Sequence, residues 1–183
     1  MIEEKQLVSA LQSNNQHDEA FRILVSQYKE RLYWHIRKMV IKHEDADDVL
    51  QNTFIKVFKN IQNFKGDSKL FTWMYRIATN EALTFLSKNA KQKKITIEKV
   101  KDQLISNLES DVYFEGDAIQ IQLQKAIATL PHKQQLIFNM KYFENHTYEN
   151  LSEILDTSVG GLKSSYHIAV KKITHYIKSN ETF

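Results

Sequence analysis

The chain has 183 residues, 25 Lys and Arg against 22 Asp and Glu, no Cys, four Gly and one Pro. That length can bury one sizeable core or divide into two small domains, and the lack of Cys excludes a disulfide framework, a thiolate metal site and a Cys nucleophile. So few Gly and Pro leave little material for hairpins, so an all-α fold is expected, and the net charge of +3 is a mild excess that suits a polyanionic partner.

The first residues, MIEEKQLVSALQ, are acidic and amphipathic, unlike a basic leader followed by an apolar run. No stretch approaches the roughly 20 apolar residues of a membrane span, so a cytoplasmic protein without membrane insertion is expected. A helix follows from about Glu19 to Lys42, with Phe21, Leu24, Val25, Tyr28, Leu32 and Ile36 spaced at threes and fours. The next helix is expected from about Asp45 to Ile61, with Asp45 as N-cap and Asp47 and Asp48 at the positive end of the dipole. Its buried side is Val49, Leu50, Phe54, Val57, Phe58 and Ile61. Its other side, Asp48, Gln51, Asn52 and Ile55, is either plain solvated surface or a docking face for a large protein partner.

The segment NFKGDSK, residues 63–69, reads as a tight turn at Gly66 and Asp67, with Ser68 as the cap of the following helix and Lys65 and Lys69 on either side. That helix, about Lys69 to Leu86, carries more aromatic surface than one buried stripe requires. Leu70, Met74, Ile77, Ala78 and Phe85 form a core stripe, while Lys69, Trp73, Arg76 and Asn80 share another face. Positive charge, a large ring and an amide together suit unstacked bases and phosphates; the alternative is that Trp73 and Tyr75 pack against neighbouring helices.

From Lys88 to Lys101 the chain is basic and from Asp102 to Asp117 acidic, and the apolar periodicity fades. The expected organisation is therefore two small helical domains, 1–87 and 119–183, joined by a flexible linker at 88–118.

In the C-terminal domain a helix from about Ile119 to Ala128 precedes Leu130-Pro131, where Pro131 suits the first turn of a helix running to about Tyr142. Residues 147–173 have the proportions of a helix-turn-helix: Leu151, Ile154 and Leu155 in the first stripe, Asp156, Thr157 and Ser158 in the turn, and Leu162, Tyr166, Ala169 and Ile173 in the second stripe. Ser152, Gly160 and Gly161 are expected to let the helices approach closely. The exposed side of the second helix offers Lys163, Ser164, Ser165, His167, Ile168 and Lys171, a cationic, small-polar face suited to the major groove.

The seven His are scattered without metal-ligand spacing, and neither a Gly-rich phosphate loop nor a paired nucleophile and base is present. A non-enzymatic protein without cofactor or metal is expected.

DADDVLQNTF (45–54), FKGDSKLFTWMYRIATNEAL (64–83), LPHKQQLIFNMKYFENHTYENLSEIL (130–155) and SVGGLKSSYHIAVKKI (158–173) resemble, in order, the signature regions of extracytoplasmic-function sigma factors, the compact sigma-70-type initiation factors. The resemblance covers nearly all of the chain after about residue 19. It implies core RNA polymerase and promoter DNA as partners, with the β′ clamp as the main polymerase contact, the β subunit receiving the C-terminal domain, and an anti-sigma factor as a further partner. Asp45, Asp48, Gln51, Asn52 and Ile55 would then contact polymerase. Lys65, Gly66, Asp67, Ser68 and Lys69 would capture a flipped minus-ten base, and Trp73, Tyr75, Arg76 and Asn80 would hold the melted strand, with Tyr75 open between DNA and core. Gly161, Lys163, Ser164, Ser165, His167, Ile168 and Lys171 would read the minus-thirty-five element as duplex.

The usual pattern has Arg at Ser165, a basic residue at Ile168 and often Gly at Asp156, so a bidentate Arg-to-guanine contact is missing at 165. A linker of about 30 residues reaches roughly 100 Å when extended, against about 70–90 Å between two such DNA elements, so one monomer spans both. The acidic half of the linker is either a solvated tether or a nucleic-acid mimic inside the polymerase. The main alternative to a sigma factor is a conventional helix-turn-helix regulator that binds duplex DNA without polymerase, and a third class is an RNA-binding translation factor.

Overall fold

The computed structural model describes residues 3–13, 16–40, 42–92 and 118–180, with side chains of the last stretch from 122 onward. Residues 93–117, most of the expected linker with its acidic half, lie outside the described residues. Every regular element among the described residues is helical, and the chain divides into two compact units, 1–85 and 86–183.

The N-terminal unit begins with α1 (Glu4–Leu11), whose Leu7 and Leu11 are buried and which packs on α2 (His17–Val40). In α2, Asp18 and Glu19 occupy the first turn and Arg37 and Lys38 the last, each sign matched to the helix dipole. The α3 helix (His43–Asn60) starts two residues before the expected Asp45 cap. Its N-cap, Lys42, makes no side-chain cap bond; instead Tyr33 Oη of α2 bonds His43 Nδ1, and His43 Nε2 lies 3.4 Å from Asp47. Asp45 sits inside the first turn, where its charge still favours the helix. A 3-10 turn at Ile61–Asn63 closes α3.

The α4 helix spans Leu70–Gln92 and so continues past Leu86. Lys88 and Lys91, read from sequence as linker, belong to its final turns, where positive charge suits the negative end of the dipole. The core stripe holds at Leu70, Met74 and Ala78, joined by Ala82 and Leu86. Between α2 and α4 the core is polar as well as apolar: His35 Nε2 and Thr79 Oγ1, both buried, share a hydrogen bond of 2.9 Å. A side-chain pair of this kind fixes helix register, because slipping it strands two buried polar atoms.

The C-terminal unit contains α5 (Ala118–Ala128), α6 (His132–Tyr142), α7 (Tyr148–Leu155) and α8 (Val159–Ser179). The α8 helix packs on the other three, closing a core of Ala126, Ile127, Leu130, Phe138, Ala169 and Ile173. Its turns are set locally. Asn145 takes a left-handed conformation (φ 54°), and beside it buried His146 lies 3.4 Å from Glu144, while Lys141 Nζ donates to the His146 carbonyl at 3.0 Å. Thr147 Oγ1 accepts from the Asn150 amide (3.1 Å) at the start of α7, and Ser158 Oγ from the Gly161 amide (3.3 Å) at the start of α8. Between these helices Asp156 is also left-handed (φ 48°, ψ 52°), ending α7 where Gly is common.

Candidate nucleic-acid and polymerase surfaces

The loop from Phe64 to Lys69 and the adjoining face of α4 form one constellation. Phe64 is buried, and its ring supports Trp73 with centroids 5.2 Å apart. Trp73 is therefore half-buried, one part of its ring propped and the rest open. Gly66 is left-handed (φ 77°), with nothing within 4 Å of where a Cβ would stand, so glycine is required there by backbone conformation and not by crowding. Lys65, Asp67 and Lys69 are exposed. Lys69, Trp73, Arg76 and Asn80 recur at helical spacing and share a face, Arg76 and Asn80 being exposed.

One residue of this group differs from expectation, and one that the sequence leaves open is decided. Ser68 does not cap α4; its hydroxyl donates to the Lys69 carbonyl at 3.4 Å, and the Leu70 amide donates instead to Glu4 Oε1 of α1 at 3.0 Å. Tyr75 is core: it is 2% exposed, donates from its hydroxyl to the Arg31 carbonyl at 3.2 Å, and its ring lies 4.6 Å from that of His35. It does not face solvent, so it leaves the candidate strand-holding set. Phe71 stacks on Tyr28 and lies under the Arg31 guanidinium, 4.0 Å from its carbon.

On α3, Asp48, Gln51 and Asn52 are exposed and Asp45 is half-buried. Ile55 is 45% exposed. Phe58, read from sequence as core, is 42% exposed, held edge-on by His17 and Phe21 at 4.5 and 5.0 Å. The outer face of α3 thus extends from carboxylates and amides into an apolar end that the sequence reading missed. Phe58 falls at the margin of the apolar arc, where periodicity alone does not separate core from rim.

In the C-terminal unit, Lys163, Ser164, His167, Ile168 and Lys171 all point outward from α8, while Ser165 and Gly161 are half-buried. Lys163 Nζ lies 5.7 Å from the centre of the Tyr148 ring. Burial, then the neighbouring Tyr148 and Tyr142, hold the Tyr166 hydroxyl above its usual pKa, so the ring stays neutral beneath this face. The glycines serve differently from expectation. A Cβ at Gly160 would meet nothing, and one at Gly161 would meet Ser158 Oγ at 3.2 Å, so Gly161 protects its own helix cap and neither mediates a close helix approach.

Residues 24–92 match the family sigma-70 region 2, and residues 120–173 match sigma-70 region 4. The chain belongs to the extracytoplasmic-function sigma factors. It is 29% identical over 170 residues to the RNA polymerase sigma-H factor of Pseudomonas aeruginosa, covering 88% of this chain and 87% of the relative. The sigma-E factor of Haemophilus influenzae is 28% identical, over 97% of this chain and 96% of its own, and SigW of Bacillus subtilis 28%, over 81% and 84%. Among solved structures, the fold matches CnrH in complex with the cytosolic domain of CnrY (TM-score 0.70, 18% identity, 97% of this chain and 99% of that one). It also matches the sigma factor RpoE of Bartonella quintana in complex with the anti-sigma factor NepR (TM-score 0.66, 18% identity, 88% and 98%). The regulator reading has no use for a region 2 domain, and a sigma factor directing RNA polymerase is what both matched regions together require. No helix among the described residues of this sigma factor is long and apolar enough to cross a membrane.

Proposed function

We propose that this sigma factor acts in the cytoplasm without catalysing a reaction itself. It binds core RNA polymerase mainly through the outer face of α3, Asp45, Asp48, Gln51, Asn52 and Ile55, against the β′ clamp, while the β subunit receives the C-terminal unit. The loop Lys65, Gly66, Asp67, Ser68 and Lys69, with Trp73, Arg76 and Asn80, captures an unstacked minus-ten base. Residues 1–87 and 119–183 serve as the two DNA-binding domains, with 88–118 between them. Along α8, Gly161, Lys163, Ser164, Ser165, His167, Ile168 and Lys171 address the minus-thirty-five duplex. With Ser at 165, guanine readout there passes to Lys163 or to water, because Ser lacks the Arg fork. An anti-sigma factor occupies the free protein, a reading supported by the solved RpoE–NepR complex.

The observation that carries the base-capture reading is the Trp73 ring propped on Phe64 beside the left-handed Gly66 loop. Unstacking a base costs a few kcal/mol, and stacking it on an aromatic ring returns about 1–3 kcal/mol. A rigid, half-open ring with Arg76 and Asn80 alongside therefore offsets most of the cost of opening.

Run-off transcription with core polymerase and genomic promoters, read with permanganate at minus-ten thymines, tests this. Trp73→Ala is expected to reduce opening about 10–100-fold, the loss of one base stack, while core binding persists. Unchanged permanganate reactivity would sink the reading.

A further inference from the structure

We propose that helix α1 is a strap that sets the shape of the base-capture loop, with Glu4, Gln12 and Gln62 as positioning residues; this rests on the reading of that loop given above. The helix precedes the region 2 match, which begins at residue 24, yet Glu4 in its first turn and Gln12 at its C-cap both bond the ends of the loop. At the loop's beginning, the Gln12 amide nitrogen donates to the carbonyls of Ile61 (3.1 Å) and Phe64 (2.9 Å), one from each end of the 3-10 turn. In return Gln62 Nε2 donates at 3.2 Å to the Leu11 carbonyl, one of the last of α1, which His17 Nδ1 also meets. At the loop's far end, Glu4 Oε1 takes the Leu70 amide, the first of α4. Leu7 and Leu11, both buried, anchor the strap in the core.

The chemistry of each position is specific. The Gln12 amide brings two N–H donors on one uncharged nitrogen, so it joins two carbonyls that a carboxylate at the same place would repel. Glu4 supplies an acceptor where α4 presents orphan N–H groups and positive partial charge, so a glutamine there retains the bond and loses only the charge. Between these fixed ends lie Lys65 to Lys69, with the left-handed Gly66 in the middle. Phe64, whose carbonyl Gln12 holds, is also the ring beneath Trp73. The strap therefore fixes both the loop and the prop of the stacking ring.

The test uses holoenzyme assembled from core polymerase and the full chain, on a promoter recovered by run-off transcription and carrying 2-aminopurine at minus-ten positions. Opening rate and 2-aminopurine fluorescence are followed beside core binding, at a temperature where circular dichroism shows each variant folded. Gln12→Ala and Gln12→Glu are expected to slow opening about tenfold and to blunt the fluorescence rise, the loss of two hydrogen bonds that hold a geometry. Glu4→Ala is expected to slow it about fivefold and Glu4→Gln by less than about twofold, with core binding unchanged throughout. Opening at the wild-type rate in both Gln12 variants overturns the strap, as does a loss shared equally by core binding. Should the Gln12 variants not fold, the Glu4 pair decides: Ala and Gln behaving alike overturns it. Wild-type holoenzyme that opens no promoter removes the base-capture reading and the strap together, whereas wild-type opening with unaffected variants removes the strap alone.

Discussion

The two units place their exposed side chains by opposite means. In the C-terminal unit the starts of α7 and α8 are fixed by a neighbour: Thr147 caps an amide three residues on, and so does Ser158. In the N-terminal unit the corresponding groups come from far along the chain, Glu4 reaching Leu70 across 66 positions and Gln12 reaching Ile61 across 49. A helix face that lies along a duplex needs only helical periodicity and a defined start. A pocket for one extruded base needs a loop, a ring and a prop held together from three directions, which local interactions do not supply.

The largest effect to be expected of a surface change bears on whether the N-terminal unit's faces separate. Asp48 and Gln51 stand exposed on α3. Asp48→Ala with Gln51→Ala is expected to weaken association with core polymerase about tenfold, as loss of two polar contacts at an interface, while strand capture in complexes already formed is unchanged. Undiminished co-purification with β′ removes the docking face. A loss of strand capture in the bound complex would show that the two faces of this unit are one device.

A smaller effect tests the local character of the C-terminal unit. Ser158→Ala removes the cap of α8 and is expected to cost about 1 kcal/mol, read as faster amide hydrogen exchange in the first turns of α8 with α1–α4 unaltered. Because Gly161 carries the amide that Ser158 accepts, its protection reports the change directly. Equal loss of protection in α2 and α4 would mean that the cap is not local.

This contrast also explains what the sequence made legible. The helical fold, the exposed positions Asp48, Gln51, Asn52 and Ile55 of α3 and Lys163, Ser164, His167, Ile168 and Lys171 of α8, and the turn at Asp156 follow from a 3.6-residue period and from residues that act on their immediate neighbours. Ser68 was misread as a cap because a Ser before a helix has that chemistry, and nothing nearby reveals that Glu4 takes the Leu70 amide. Tyr75 stays open in the sequence and Phe58 is misplaced for a related reason. Each lies where the period leaves the face undecided, and distant partners settle it: the Arg31 carbonyl draws Tyr75 inward, and His17 and Phe21 hold Phe58 at the rim. The residue types and shared face of Lys69, Trp73, Arg76 and Asn80 were legible from spacing; what supports them was not, since α1 carries no signal linking it to a loop some 50 residues away.

The smallest predicted effect reaches the same long-range construction from the alkaline side. The Tyr28 hydroxyl is raised above 10.0, first by burial and then by the nearby Glu4 carboxylate, with Arg31 opposing. A phenol whose folded pKa is raised binds its proton more tightly when folded, so its contribution is intact below pH 10.0 and is lost as the pH rises through the higher folded value. Ionising it places a negative charge close to the carboxylate that caps α4. Urea midpoints measured on either side of that pH should therefore fall more for the wild type than for Tyr28→Phe, which keeps the stack on Phe71 and has no proton to lose. The Glu4→Gln variant should soften the same fall, because it removes the second cause of the shift. If Tyr28→Phe and the wild type decline in parallel, alkaline weakening arises elsewhere and the contact between α1 and α2 carries no electrostatic coupling through Glu4.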